Sequence, residues 1–378
     1  KGNGDAKEKF KAVMVDQNNR TQDVGEETDI EAWTHFTFPG RKGKYSEMQW
    51  HWYHFTGVDY DDLSETSAIY RIVGDGKYWD IDVSNEKGNF DYLMNNDIDH
   101  THPEVRDEIF KWTDWFIKET DVDGFRYDAL KHISEDFIKD LSGHIIDENG
   151  IENFYLFGEF WQYSKDTISA YLESTNYQID LFDVPLHFHF EEASKSMGNY
   201  DMRKIFDNTI VKDFPEQAVT FVDNHDSQPG QGLDSWVDGW FKEIAYALIL
   251  FRKDGYPCIF AGDYYGLCGP TKTDSLEGMI NNMIKVRKNY NYGDQDDYFD
   301  DPAVIGWVRR GDEEHKPLAV LISIKDNAEK QMHVGESEAG ATYVDLSGKN
   351  EEVVIDDDGN GLFTVGGGKV TYWTNKET

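Results

Sequence analysis

Cysteine is nearly absent from this 378-residue chain; Cys258 and Cys268 are the only two. That excludes a disulfide scaffold, and a zinc cluster would need other ligands. Long apolar runs are missing too, since none approaches the ~20 residues that cross a bilayer. Basic residues are scarce beside acidic ones, 37 against 73, which leaves a formal charge of −36. Such a field repels nucleic acid and anionic membrane surfaces, so neither is expected as a partner. It suits cations, neutral polymers or a saline medium. The first residues, Lys1-Gly2-Asn3-Gly4-Asp5, show neither an initiator Met nor a charged-then-apolar leader pattern, and they read like the interior of a protein. No compartment follows from them.

Enough apolar material is present for a substantial core. Hydrophobic residues make up 39% and aromatics 15%, which rules out wholesale disorder. The length suits two to three domains at ~150 residues each. Residues 1–102 are irregular, rich in Gly, Asp, Asn and Tyr, with aromatic strand-like pieces at 33–38 and 50–55. The texture changes at Pro103, a residue suited to a first helical turn, after which Val105, Ile109, Trp112 and Phe116 recur at helical spacing.

Strand-like runs then appear at 124–129, 154–160, 179–184, 218–223 and 256–262. Helical patterns at 135–146, 167–173, 202–210 and 236–252 separate them, and one at 275–290 closes the series. Strands alternating with helices imply parallel βα units. From Ala303 the chain turns to short strands with Gly and Asp turns, including 319–324, 342–344 and 370–373, an all-β domain of sandwich type. The expected division is therefore 1–102, 103–293 and 294–378. A closed (β/α)₈ barrel needs eight strands and ~250 residues. The alternation supplies fewer, so either the sheet is smaller and open or the first βα units lie upstream of Lys1.

Three strand ends carry acids: Asp128, Glu159 and Asp226. About one position in five is acidic, so isolated acids would more often be solvated turn residues or helix caps. Their neighbours favour chemistry. Arg126 lies on the same strand face as Asp128, and its guanidinium would keep that carboxylate charged, as a nucleophile requires. Phe160 and Trp161 give Glu159 an apolar setting, which suits a general acid. His225 beside Asp226 offers a hydrogen-bond partner for sugar hydroxyls. One carboxylate kept charged and another kept protonated is the division of labour of glycoside hydrolysis.

The segments Gly124-Phe125-Arg126-Tyr127-Asp128-Ala129-Leu130-Lys131-His132, Phe157-Gly158-Glu159-Phe160-Trp161 and Phe221-Val222-Asp223-Asn224-His225-Asp226 resemble three signatures of the α-amylase family, closest to its liquefying bacterial type. Gly88-Asn89-Phe90-Asp91-Tyr92-Leu93-Met94 and Trp50-His51-Trp52-Tyr53-His54-Phe55 support the likeness. The resemblance implies a partial (β/α)₈ TIM barrel (strands four to eight), with an inserted β-rich domain before it and a C-terminal β-sandwich. It implies Asp128 as nucleophile, Glu159 as acid/base and Asp226 as stabiliser of the transition-state sugar. Arg126 and His225 would line the cleavage subsite, and Lys131, His132 and Trp161 would contact neighbouring glucose units. The substrate would be an α-1,4-glucan polysaccharide or maltooligosaccharide, cleaved internally with retention. The rival readings are a maltooligosaccharide-forming or transglycosylating relative and a non-catalytic glucan-binding protein.

The same resemblance implies calcium, Ca2+, held by Asp91, Asp97 and the backbone carbonyl of His132. Asp80 and Asp99 match ligands of a further metal cluster, but Thr56 and Thr101 stand where carboxylates are expected, so one calcium at most is anticipated. It also implies that barrel strands one to three are absent from this stretch. The chain is expected to be a fragment or one piece of a split enzyme, with another polypeptide supplying those strands.

Overall fold

The computed structural model describes residues 2–148 and 154–376. Its internal contacts divide the chain into two compact units, one of residues 1–161 and 169–180, the other of residues 162–168 and 181–378.

The first unit opens with strands β1 (Ala6–Met14), β2 (Thr28–His35), β3 (Phe55–Asp61), β4 (Thr66–Ile72) and β5 (Asn96–Ile98), in the sheet order β2-β1-β4-β3-β5. Along β1 the exposed Lys7, Lys9 and Lys11 alternate with Glu8, Phe10 and Ala12, so one face stays wet while Phe10 and Ala12 pack on Ile30, Ala32, Phe55, Val58, Tyr70 and Ile72. The aromatic run at 50–55 is not a strand. His54 Nδ1 accepts the N–H of His51 at 2.9 Å, and Glu8 Oε2 accepts that of Trp52 at 2.7 Å. These bonds curl Trp52–His54 into a 3₁₀ turn before β3 begins.

Helix α1 (Pro103–Thr120) starts on its proline and ends at Asp121 in the left-handed conformation. It buries Val105, Thr113 and Ile117, a stripe rotated from the expected one. Trp112 and Trp115, 50% and 40% exposed, instead line an open cavity of about 550 Å³ together with Tyr45. Next come β6 (Gly124–Tyr127), α2 (Glu135–Gly143, capped by Ser134) and β7 (Tyr155–Gly158). Strands β6 and β7 pair in parallel, Gly124 opposite Tyr155 and Tyr127 opposite Gly158. Helix α3 (Lys165–Ser174) follows, its residues divided between the two units.

In the second unit β8 (Asp180–Phe182, its first residue still in the first unit), α4 (Val184–Lys195), α5 (Ile210–Asp213), β9 (Ala218–Phe221), α6 (Gly239–Leu250), β10 (Tyr256–Cys258), α7 (Ala261–Tyr265) and α8 (Glu277–Tyr290) continue the alternation. Strand β9 pairs in parallel with both β8 and β10. The helical pattern at 202–210 shrinks to a 3₁₀ turn, Met202–Lys204: Met202 N–H is drawn to Pro302 O at 2.9 Å, and Asn208 adopts a left-handed φ of 55°. Parallel strands with intervening helices fit part of a (β/α)₈ barrel.

The chain ends in strands β11 (Gln295–Tyr298), β12 (Val304–Arg309), β13 (Leu318–Ser323), β14 (Ala328–His333), β15 (Thr342–Asp345), β16 (Val353–Val354), β17 (Asn360–Val365) and β18 (Lys369–Asn375). Six form an antiparallel sheet in the order β11-β12-β13-β18-β15-β16, and β14 pairs with β17. Leu321 and Trp373 of the sheet share a core with Met332 and Phe363 of the ribbon. Strand β13, Leu-Ala-Val-Leu-Ile-Ser, is buried along its whole length, hence its unbroken apolar run. Both cysteines are free thiols.

Candidate active site

In the first unit Asp128 and Glu159 each lie one residue beyond the paired ends of β6 and β7. That register carries both acids to the carboxyl ends of neighbouring parallel strands, where βα folds present their chemistry. The ladder continues past the strands, with Glu159 N–H donating to Tyr127 O at 3.0 Å and Leu130 N–H to Glu159 O at 2.9 Å. Glycine is required at 158, because a Cβ there would collide with the buried Leu130 side chain. Ala129 takes a left-handed φ of 52°, and its N–H donates to Glu159 Oε2 at 3.0 Å. One carboxyl oxygen of Glu159 is therefore fixed by the residue after Asp128.

The two acids sit in contrasting surroundings. Glu159 is 8% exposed and adjoins buried Phe160 and Trp161. The Asp128 side chain is 72% exposed and accepts a hydrogen bond from Arg126 Nη1. A buried, backbone-anchored carboxyl beside an exposed, guanidinium-paired one differ in the sense that separates acid from nucleophile. Lys131 Nζ pairs with Glu86 at 3.2 Å, and His132 Nδ1 shares a hydrogen bond with Phe90 O at 2.6 Å. His132 and Trp161 are buried, so of the expected sugar contacts in this unit Arg126 is the more open to solvent.

In the second unit Asp226 follows β9. Asn224 Oδ1 accepts the N–H groups of Asp226 and Ser227 at 2.9 and 2.8 Å, an Asx turn. It leaves the side chains of His225 and Asp226 63% and 39% exposed, with His225 Nε2 3.3 Å from Asp226 Oδ2. Beneath them Asp223 is buried and ion-paired with buried Lys242. Sequence reasoning missed this pair, although a lysine inside the apolar run of α6 was the signal that could have found it.

The 73–101 segment of the first unit gathers the metal candidates. Asp91, 1% exposed, accepts the Asp80 N–H at 2.8 Å through Oδ2, while its Oδ1 is buried without a hydrogen-bond partner. Burial, together with the charges of Asp97 and Asp80, pushes its carboxyl well above the ordinary range. Burial also raises Asp97 to about 6, even though Thr56 Oγ1 donates to it at 2.6 Å. Closely set buried carboxylates with an orphaned oxygen suit a hard divalent cation. Asp99 differs. Burial works against its charge, but the Lys77 ammonium and the Thr101 hydroxyl hold it below the usual range.

Two His/Glu groups in the same unit, Glu8–His35–His51 and His54–His102–Glu104, also bring ligand atoms close together. Both groups are already engaged within the protein. The His35 and His51 rings are tilted at 31° with centroids 4.3 Å apart, His51 Nδ1 lies 2.8 Å from Glu8 Oε1, and His35 Nε2 lies 3.3 Å from Gln49 Oε1. His54 Nδ1 already accepts an N–H, which leaves its Nε2 as the protonated donor to Glu104.

The family profile described as the α-amylase catalytic domain matches residues 32–317, a span holding all three acids. The chain belongs to the α-amylase family. It is 46% identical over 381 residues to the α-amylase of Bacillus licheniformis, covering 100% of this chain and 74% of that protein. The identity is again 46% with the glucan 1,4-α-maltohexaosidase of Bacillus sp. strain 707, covering 100% of this chain and 73% of that one. Among solved structures, the α-amylase of Geobacillus thermoleovorans in complex with acarbose matches with a TM-score of 0.57 at 18% identity, over 75% of this chain and 66% of that one. Family membership makes the chain a glycoside hydrolase in class.

Proposed function

We propose that this α-amylase-family chain carries the catalytic carboxylates of a retaining, endo-acting α-1,4-glucan hydrolase. In this reading β6 to β10 are barrel strands four to eight, residues 1–102 an inserted domain and 294–378 a C-terminal sandwich. Asp128 attacks the anomeric carbon while Glu159 protonates the departing glycosidic oxygen. Water, deprotonated by Glu159, then releases the glycosyl group from Asp128. Arg126 donates a hydrogen bond to the Asp128 carboxylate, and the Ala129 N–H orients the Glu159 carboxyl. Asp226 and His225 hold hydroxyls of the distorted sugar, and Lys131, His132 and Trp161 flank the glucan. The observation that carries the reading is the adjacent placement of a buried, anchored Glu159 and an exposed, Arg-paired Asp128 in a member of this family.

Calcium belongs to the same proposal. Asp91, Asp97 and the His132 carbonyl would hold it, and the orphaned Asp91 Oδ1 supports the fit. Its contribution is positive charge that ties the acidic 73–101 segment to the turn after Asp128. Asp80 and Asp99 take no second ion, because Thr56 and Thr101 supply hydroxyls in place of charge and Lys77 already neutralises Asp99.

New reducing ends are followed on starch and maltooligosaccharides, with Glu159→Gln and Asp128→Asn as controls. Turnover in the parent that disappears in both variants is the expected outcome. A Glu159→Gln protein that retains glucan but hydrolyses it as the parent does would sink the assignment.

A further inference from the structure

Lys242 lies in α6, whose residues 244–250 are all buried, and it is itself 2% exposed. A buried ammonium is costly unless it is paired. Its Nζ pairs with Asp223 and lies 2.8 and 3.0 Å from the two carboxyl oxygens of Asp263 in α7. The face of Trp236 lies 3.4 Å away, and Tyr246 O–H donates to Asp263 Oδ2 at 2.8 Å. Replacing such an ion cluster with apolar side chains is often neutral or stabilising, and one role open to such a cluster is conformational definition.

The definition it supplies can be traced. Asp223 Oδ1 accepts the Ser227 hydroxyl at 2.7 Å, and its Oδ2 accepts the Val237 N–H at 3.3 Å. Ser227 Oγ in turn accepts the Asn224 N–H at 2.9 Å. Residues 224–236 thus begin and end on one buried carboxylate, with His225 and Asp226 in the first turn, next to that anchor. The Asx turn shapes this part locally, while the route from the Asp223 carboxylate into the body of the unit runs through Lys242 to Asp263.

We propose that Lys242, acting through Asp223, is a positioning residue that fastens loop 224–236 and so holds the Asp226 carboxylate in its working place. The inference rests on the role assigned to Asp226. It predicts a defect in turnover rather than in binding, since a displaced carboxylate loses transition-state contacts while most glucan contacts persist.

The test compares Lys242→Met and Ser227→Ala with Val365→Ala, a cavity in the C-terminal β core that destabilises without touching the loop. Ser227→Ala leaves the ammonium paired and serves if Lys242→Met does not fold. Amide exchange of residues 224–236 is expected to rise at least about tenfold beyond the control, and kcat to fall on the order of 10²-fold with KM within about twofold. Lys242→Arg should recover part of both. Exchange and kcat that merely follow Val365→Ala in both variants overturn the proposal. Asp226→Asn is measured alongside. If it turns over like the parent, the role given to Asp226 is wrong, while loop exchange still decides whether Lys242 fastens the loop.

Discussion

Gly158 shows how much of the site depends on a missing side chain. The buried Leu130 side chain packs directly against it, one residue before the Glu159 that bonds the Ala129 N–H. Gly158→Ala forces a methyl into that contact, and overpacking of this kind costs about 1–3 kcal/mol. The melting temperature should fall and hydrolysis with it; an unchanged melting curve would show that the strand end has room. His187 makes a second residue-scale prediction. It is fully buried, with Nδ1 2.7 Å from Val222 O and Nε2 2.8 Å from Ser235 Oγ. Burial lowers its pKa to about 4 from an ordinary 6.5. The unfolded chain therefore takes up a proton that the folded chain refuses, and stability drops as pH falls from about 6.5 to about 4. In His187→Gln the melting temperature should decline less steeply over that interval, and two parallel profiles would count against this account.

At the scale of elements, much of the chain was legible where local pattern and tertiary demand agree. The helix at Pro103 and the parallel strands before Asp128 and Glu159 carry their own punctuation and periodicity. Reading failed where side chains from distant segments decided the backbone. Nothing in Trp50–Phe55 announces that Glu8, more than forty residues earlier, will accept the Trp52 N–H and help curl the run into a turn. Nor does the 202–210 pattern reveal the claim of Pro302 O on Met202. The acids at strand ends could be found from their neighbours, whereas the Asp223–Lys242–Asp263 cluster needed the packing of α6 on β9 and α7. The 73–101 segment carries a prediction of its own. Chelation of calcium should lower the melting temperature of the parent, and Asp91→Asn should melt alike with and without chelator. A parent curve indifferent to chelation would remove calcium from the proposal.

For the molecule as a whole, the excess of 36 negative charges is a self-repulsion that salt relieves. The screening length falls from about 30 Å at 0.01 M salt to about 8 Å at 0.15 M. With calcium held saturating, the melting temperature should rise as sodium chloride is raised across that range; a fall would mean that attractive pairs such as Arg71–Asp23 and Arg252–Asp297 outweigh the net charge. One feature of the chain path bears on its birth at the ribosome. The polypeptide leaves the first compact unit at residue 161, contributes seven residues to the second, and returns for 169–180 before departing for good. Nascent chain emerges at about 5–20 residues per second. The first unit, complete but for residues 169–180, must therefore wait about one to four seconds for its last piece, with β7 and the Glu159 backbone already made and α3 still incomplete.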